Sequence, residues 1–182
     1  DRIEDVKRKV KEIKEKVDRL LEESSKKVDD LNKKVRDLLT ESNKRIEDIV
    51  RELRELAKRD LKEEELRKVL EDLRRRIEKI IKDNEEINRE HEKVVRDIVK
   101  ENKEINDELR KEIERIREEL GTESEEAKEV LERLKRILEE SRRASEENKK
   151  KLEKSHEELK RASDENKRKL ERILDELREA LR

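Results

Sequence analysis

The sequence LLEESSKKV at residues 20–28 returns eighteen residues later, at residues 38–46, as LLTESNKRI. Along one seam of this first segment, a core position recurs five times in every eighteen residues, or once every ~3.6 residues. This is the period of a straight α-helix. A left-handed coiled coil would instead repeat about every 3.5 residues. Adjacent pairs such as Leu20-Leu21 and Leu38-Leu39 widen the apolar stripe to two seams. The repeat therefore predicts long α-helices with little supercoil.

The same period continues in two further segments of the chain. IIKDNEEIN at residues 80–88 returns as IVKENKEIN at 98–106, and RASEENK at 143–149 returns as RASDENK at 161–167. A helix that packs against two neighbours needs two apolar seams, and short connections make successive helices antiparallel. We therefore predict an all-α, antiparallel, up-down-up three-helix bundle of helices of roughly 58 residues.

Two breaks separate the three segments. Gly121 supplies a residue that readily adopts the left-handed conformation closing a helix, and Thr122 with Glu125 fits a capping box. At the other break, Asp60 with Glu63 fits an N-cap and its N3 partner. These signals predict one helical-bundle domain over residues 1–182, with helices at about 2–58, 61–119 and 123–181.

Composition narrows the classes of function. The chain contains no Phe, Trp, Tyr, Met, Cys or Pro and one Gly, and 60% of its residues are charged. Its 54 basic and 55 acidic residues are interspersed, so we expect neither a nucleic-acid nor a membrane partner. No apolar run reaches the ~20 residues of a membrane span. We expect a soluble protein of unknown localisation, made in the cytoplasm on recombinant expression.

Polar residues occupy many seam positions where a core would be apolar. An isolated buried amide costs about 1–3 kcal/mol, so such residues should lie opposite one another and share hydrogen bonds. Antiparallel counting from the two breaks places four groups at common heights: Asn32, Asn88, Ser155 and His156; Ser24 and Asn148; Ser42 and Asn166; Asn102 and Ser141. Together with Asn84 and His91, these residues are the predicted buried polar network.

Catalytic and metal chemistry find little support in the sequence. His91 and His156 are expected on different helices, at heights about four residues or ~6 Å apart. There is no Glu-x-x-His pair of the kind that builds a di-iron site in helical bundles. A core histidine bonded to Asn or Ser is the preferred interpretation. We therefore expect no enzyme activity, no catalytic residue, no metal and no cofactor.

The chain as a whole resembles computationally designed helical bundles with buried hydrogen-bond networks. The resemblance rests on the 18-residue period, the Asn, Ser and His core positions, and the Glu/Lys/Arg surface without aromatic residues. It implies a structural scaffold without natural activity, whose polar layers specify helix register and which requires no partner. A natural coiled-coil spacer fits the charge content but not the missing residue types.

The alternative is a helix–helix interaction module, which self-associates or pairs with a designed helical partner as part of a switchable heteromer, with core histidines making it pH-sensitive. Helix three motivates this alternative. Between Ser141 and Lys169 its apolar residues are only Ala144, Leu152, Leu159 and Ala162. A helix with so few apolar contacts is weakly attached and could be displaced.

Overall fold

The structure, a computed structural model, describes residues 2–180 and contains three long helices. They are α1 (Arg2–Leu56), α2 (Glu63–Leu120) and α3 (Glu125–Ala180), of 55, 58 and 56 residues. The part of the chain that the structure describes contains no strand. No helix within residues 2–180 has the length and apolar character needed to cross a membrane. The predicted all-α, three-helix class is confirmed.

The turn between α1 and α2 differs from the sequence prediction. The last helical residue of α1 is Leu56, and Arg59 then donates its backbone N–H to the Leu56 carbonyl across 3.1 Å. At the start of α2, the Lys62 carbonyl accepts the first bond, from the Leu66 N–H at 2.9 Å. Asp60 lies before that position, so the prediction that Asp60 caps α2 is wrong.

The turn between α2 and α3 follows the sequence prediction in part. Gly121 has a φ of 67°, the left-handed conformation predicted for it, and donates its N–H to the Arg117 carbonyl at 2.9 Å. The cap of α3 lies two residues later than predicted. Ser124 Oγ accepts the Ala127 N–H at 3.1 Å, so Ser124 and not Thr122 caps the helix.

The contacts group the chain into two compact units, and each contains a segment of all three helices. The first unit comprises α1 up to Leu31 together with Val94–Glu153. Its main apolar cluster joins side chains such as Val10 of α1, Ile116 of α2 and Leu134 of α3, which are at most 1% exposed. A smaller cluster contains Val28, Ile98 and Leu152. Burial of each such side chain contributes about 1.5–3 kcal/mol.

The second unit comprises Asn32–Lys93 and the part of α3 from Lys154 onward. Its cluster is built in the same way, from α1, α2 and α3 residues such as Ile49, Ile77 and Leu170. These three side chains are at most 1% exposed. The second unit therefore has its own three-sided apolar core.

Contacts within each unit show that neighbouring helices run antiparallel. In the first unit, Lys9 pairs with Glu112 whereas Lys27, further along α1, pairs with Glu101, further back in α2. In the second unit, α2 and α3 show the same reversal. His91 contacts Ser155, whereas Glu85, nearer the start of α2, pairs with Lys167, further along α3. The fold is the antiparallel three-helix bundle that the two-seam pattern predicts.

Candidate functional site

The first buried polar layer joins all three helices within the first unit. Ser24 Oγ donates to Asn102 Oδ1 across 3.0 Å, and Asn148 Nδ2 donates to Ser24 Oγ across 3.5 Å. The three residues are 2%, 3% and 4% exposed, respectively. Hydrogen bonds of this kind offset much of the cost of burying a hydroxyl and two amides. They connect one particular residue from each of the three helices.

These polar residues occupy core positions of the 18-residue repeat. The positions eighteen residues from Ser24, Asn102 and Asn148 include Val6, Leu120 and Val130. Val6 and Val130 are 5% and 2% exposed, and Leu120 packs against the apolar cluster of the first unit. The same helical face is therefore apolar in one repeat and polar in another.

A second polar group connects α2 and α3 in the first unit. Ser141, which is fully buried, donates from Oγ to Asn106 Oδ1 at 2.5 Å. Asn106 Nδ2 in turn donates to Ser145 Oγ at 3.3 Å. The Ser145 hydroxyl closes the group by donating to the Ser141 carbonyl at 2.8 Å. Each of these three side chains is therefore hydrogen-bonded to the facing helix, and Ser145 is also bonded to its own helix.

The second unit contains a polar pair equivalent to Ser24 and Asn102. Ser42 Oγ donates to Asn84 Oδ1 across 3.3 Å, and both residues lie eighteen positions from their counterparts in the first unit. Asn166 is 9% exposed, and its Nδ2 has no hydrogen-bond partner among the described residues. The structure therefore gives Ser42 a bond to α2, and it gives no bond between Ser42 and Asn166.

The histidine layer lies in the second unit, between α2 and α3. His91 is 3% exposed, and its Nε2 shares a hydrogen bond with Ser155 Oγ across 3.1 Å. The His156 ring stacks on the His91 ring, with centroids 5.7 Å apart and planes at 16°. On its exposed side, His156 Nε2 lies 4.0 Å from Glu92 Oε1. The two imidazoles are thus stacked.

Burial of the imidazole lowers the pKa of His91 from 6.5, and the neighbouring His156 lowers it further, against a smaller opposing effect of Glu92. Water is excluded from the ring, so the charged form loses hydration that its neutral partner Ser155 replaces only weakly. His91 is therefore held neutral to a lower pH than a free histidine.

Asn32 and Asn88, predicted at the height of Ser155 and His156, are both half-buried in the second unit. The Oδ1 atoms of Asn32 and Asn88 are buried and have no hydrogen-bond partner among the described residues, and the same holds for His91 Nδ1. The structure joins His91, Ser155 and His156, and it gives Asn32 and Asn88 no bond to that group.

One predicted pairing, between Asn102 and Ser141, differs from the structure by about one helical turn. Asn102 was placed opposite Ser141, but it bonds to Ser24, and Ser141 bonds to Asn106, four residues further along α2. Asn106 and Ser145 belong to this group in the structure and are not among the predicted network residues, although both follow the polar seam pattern. Ser24 and Asn148, by contrast, lie within hydrogen-bond distance, as their predicted common height requires.

The described residues contain no group of three or more His, Asp, Glu or Cys side chains that could hold a metal ion. His91 and His156 present stacked faces, which do not direct two ring nitrogens at one point. The arrangement can therefore position helices and titrate one buried imidazole. No protein-family model, curated protein or solved structure matches the chain.

Proposed function

We propose that the chain is a designed structural scaffold whose polar core layers specify the register of three helices, without natural biochemical activity. The observation that carries this proposal is the layer of Ser24, Asn102 and Asn148, which links one residue from each helix by hydrogen bonds at 3.0 and 3.5 Å. A buried amide gains little net stability over an apolar side chain. Its main effect is to penalise every pairing that leaves it without a partner.

Composition and repetition support a designed origin. All three helices share an 18-residue period, and the chain uses one Gly and no Pro, Cys, Met or aromatic Phe, Trp or Tyr. Average usage would supply roughly nine prolines at this length. Idealised helices with a restricted residue set are a common choice in design because strong helix formers agree with the intended fold at every position.

The hydrogen-bonded pair of Ser155 and His91 is the one arrangement in the described residues that invites comparison with a catalytic site. A serine beside a histidine is the core of many nucleophilic sites. Here Ser155 is 6% and His91 is 3% exposed, so a substrate carbonyl cannot reach the hydroxyl. The pair supports a role in packing rather than in catalysis.

A second candidate function is a helix–helix interaction module. Leu20 of α1 and Ile105 of α2 are only half-buried and line a groove on the surface of the first unit. Half-buried leucine and isoleucine in a groove between two helices are suited to cover by a further helix. In this second candidate function, the protein binds a further helix through the groove.

Light scattering at several concentrations distinguishes the two candidates. The scaffold predicts a constant mass of one chain, 22.2 kDa, across the concentration range. Self-association would give a multiple of that mass which falls on dilution, and it would contradict the monomeric scaffold. A monomer that gains mass only when a helical peptide is added would support the interaction module.

A further inference from the structure

A surface groove of about 610 Å³ lies between α1 and α2 of the first unit. Leu20 and Ile105 line it and are half-buried, and the buried Ser24 lies at its base. Leu20 is not among the residues that form or pack against the main apolar cluster of the first unit. Its side chain therefore adds little to the core and presents apolar surface to the groove.

The second unit has a smaller groove of about 230 Å³, also between α1 and α2. Leu38, Ser42 and Ile87 line it, and each lies eighteen residues from its counterpart in the first groove. The charged lining repeats in the same way, as these pairs show: Glu23 and Glu41, Lys27 and Arg45, Glu101 and Asp83, Glu104 and Glu86, Glu108 and Glu90. The second groove therefore repeats the central part of the first, and its α1 lining, residues 38–45, spans about 10 Å of helix.

Both grooves concentrate negative charge. Six carboxylates and three lysines line the first groove, and four carboxylates and one arginine line the second, an excess of three negative charges in each. The whole chain, in comparison, has a net charge of −1. One basic residue in each groove is already paired across it, Lys27 with Glu101 at 3.1 Å and Arg45 with Asp83 at 3.3 Å.

Three carboxylates at the edge of the first groove remain available to a partner. Glu23, Glu104 and Glu108 are exposed and form no salt bridge with any described residue. A cation placed beside these like-charged carboxylates lowers their mutual repulsion. The negative potential of the cluster also attracts a positively charged partner to the site. The charge of the groove therefore selects against acidic helices and in favour of basic ones.

We propose that each α1/α2 groove docks an amphipathic helix that carries an apolar stripe flanked by Lys or Arg. The inference rests on the helix–helix interaction function and names the partner's chemistry. The apolar stripe covers Leu20 and Ile105 in the first groove, and the flanking cations meet the carboxylates at its edge. The α1 lining of this groove spans residues 13–27, about 21 Å of helix, which matches four turns of a partner.

The test uses a synthetic 18-residue peptide with leucines on one helical face, lysines on both flanks and one tryptophan. The chain itself has no Trp, so peptide fluorescence reports binding directly, and isothermal titration calorimetry gives the stoichiometry. A matched peptide has every Lys replaced by Glu. We expect the Lys peptide to bind two per chain, more weakly as salt is added, and the Glu peptide to bind at least about tenfold more weakly.

Protein variants then locate the site. The triple variant Glu23→Lys, Glu104→Lys, Glu108→Lys reverses the free charges of the first groove, and Leu20→Gln removes its apolar anchor without altering charge. Each should lower affinity at one of the two sites by about tenfold or more. The control is Glu129→Lys, Glu140→Lys, Glu146→Lys. It reverses three exposed carboxylates of α3 in the same unit, and it should leave both sites unchanged.

The outcomes separate two kinds of failure. If neither peptide binds, the interaction function and this inference both fail. If peptides bind without charge preference, or the groove and control variants behave alike, the interaction function stands and the assignment of these grooves to basic helices is overturned. A parent chain that dimerises without peptide, and becomes monomeric with Leu20→Gln, would also overturn it, because the occupant would be a second copy.

Discussion

The layer of Ser24, Asn102 and Asn148 gives a quantitative prediction about buried hydrogen bonds. Asn102→Leu removes the acceptor that Ser24 Oγ uses at 3.0 Å, in surroundings where Ser24 is 2% exposed. The hydroxyl then stays buried without an acceptor, which should lower the free energy of unfolding by about 1–3 kcal/mol.

Replacing the whole layer should have a different result. The triple variant Ser24→Val, Asn102→Leu, Asn148→Val installs the side chains that the chain itself uses eighteen residues away. No polar group is then left unpaired, and apolar burial is gained, so the triple variant should be at least as stable as the parent. The single and triple changes are therefore predicted to be non-additive by at least about 1 kcal/mol.

Urea denaturation followed by circular dichroism measures these free energies, since urea does not screen the dense surface charge. The matched control is Asn43→Leu, an exposed asparagine on α1, which should change stability by less than about 0.5 kcal/mol. Parent-like stability of Asn102→Leu, or a triple variant that loses as much as the single one, would refute the claim that the layer is a mutually satisfied unit.

Three further predictions address other parts of the fold. The pKa of His91 is lowered in the folded chain, so stability should be full above about pH 6.5 and decline as the pH falls toward the folded pKa, because the unfolded chain then binds more protons. His91→Asn should remove this loss in urea titrations between about pH 7 and pH 5, and an identical loss in both proteins would contradict it. Residues 141–169 of α3 should exchange amide hydrogens faster than residues 10–38 of α1, because few apolar contacts hold them, and uniform protection would disprove this. Gly121→Ala should lower stability by about 1 kcal/mol through strain alone, since φ is 67° and nothing lies within 4 Å of an added Cβ; unchanged stability would show that the turn relaxes.

The fold class followed from periodicity because apolar residues repeat at the pitch of an α-helix in all three segments. The polar seam positions could also be predicted from the sequence, since Ser24, Ser141 and Asn148 lie on helical faces that carry apolar residues in other repeats. These features depend on local spacing, and local spacing is what a single sequence contains.

The register between neighbouring helices was harder to predict from the sequence than the fold class. The structure begins α2 at Glu63 and α3 at Glu125, so each connection is longer than predicted and shifts the facing helix. A shift of four residues is about one helical turn. After such a shift, the apolar face of each helix still packs against the apolar face of its neighbour. That degeneracy explains why Ser141 was predicted opposite Asn102 but bonds to Asn106. In the proposed function, the hydrogen-bonded layers distinguish these alternatives, since a layer is satisfied in one alignment and leaves buried polar groups unpaired in the others.

The most direct test of register specification is a distance between α1 and α3 in the first unit. The chain has no Cys, so nitroxides can be placed at Arg8→Cys on α1 and Lys149→Cys on α3, two exposed positions of the first unit. The pairing of Ser24 with Asn148 puts these positions about 17 residues, or ~25 Å, apart along the helix axes. Double electron–electron resonance should give one narrow distance distribution for the parent. With Ser24→Val, Asn102→Leu, Asn148→Val in addition, we predict a second population, in which one helix has slipped by one turn of about 5.4 Å and the distance between the labels changes by several ångströms. The same single distribution in both proteins would show that the polar layer does not specify the register.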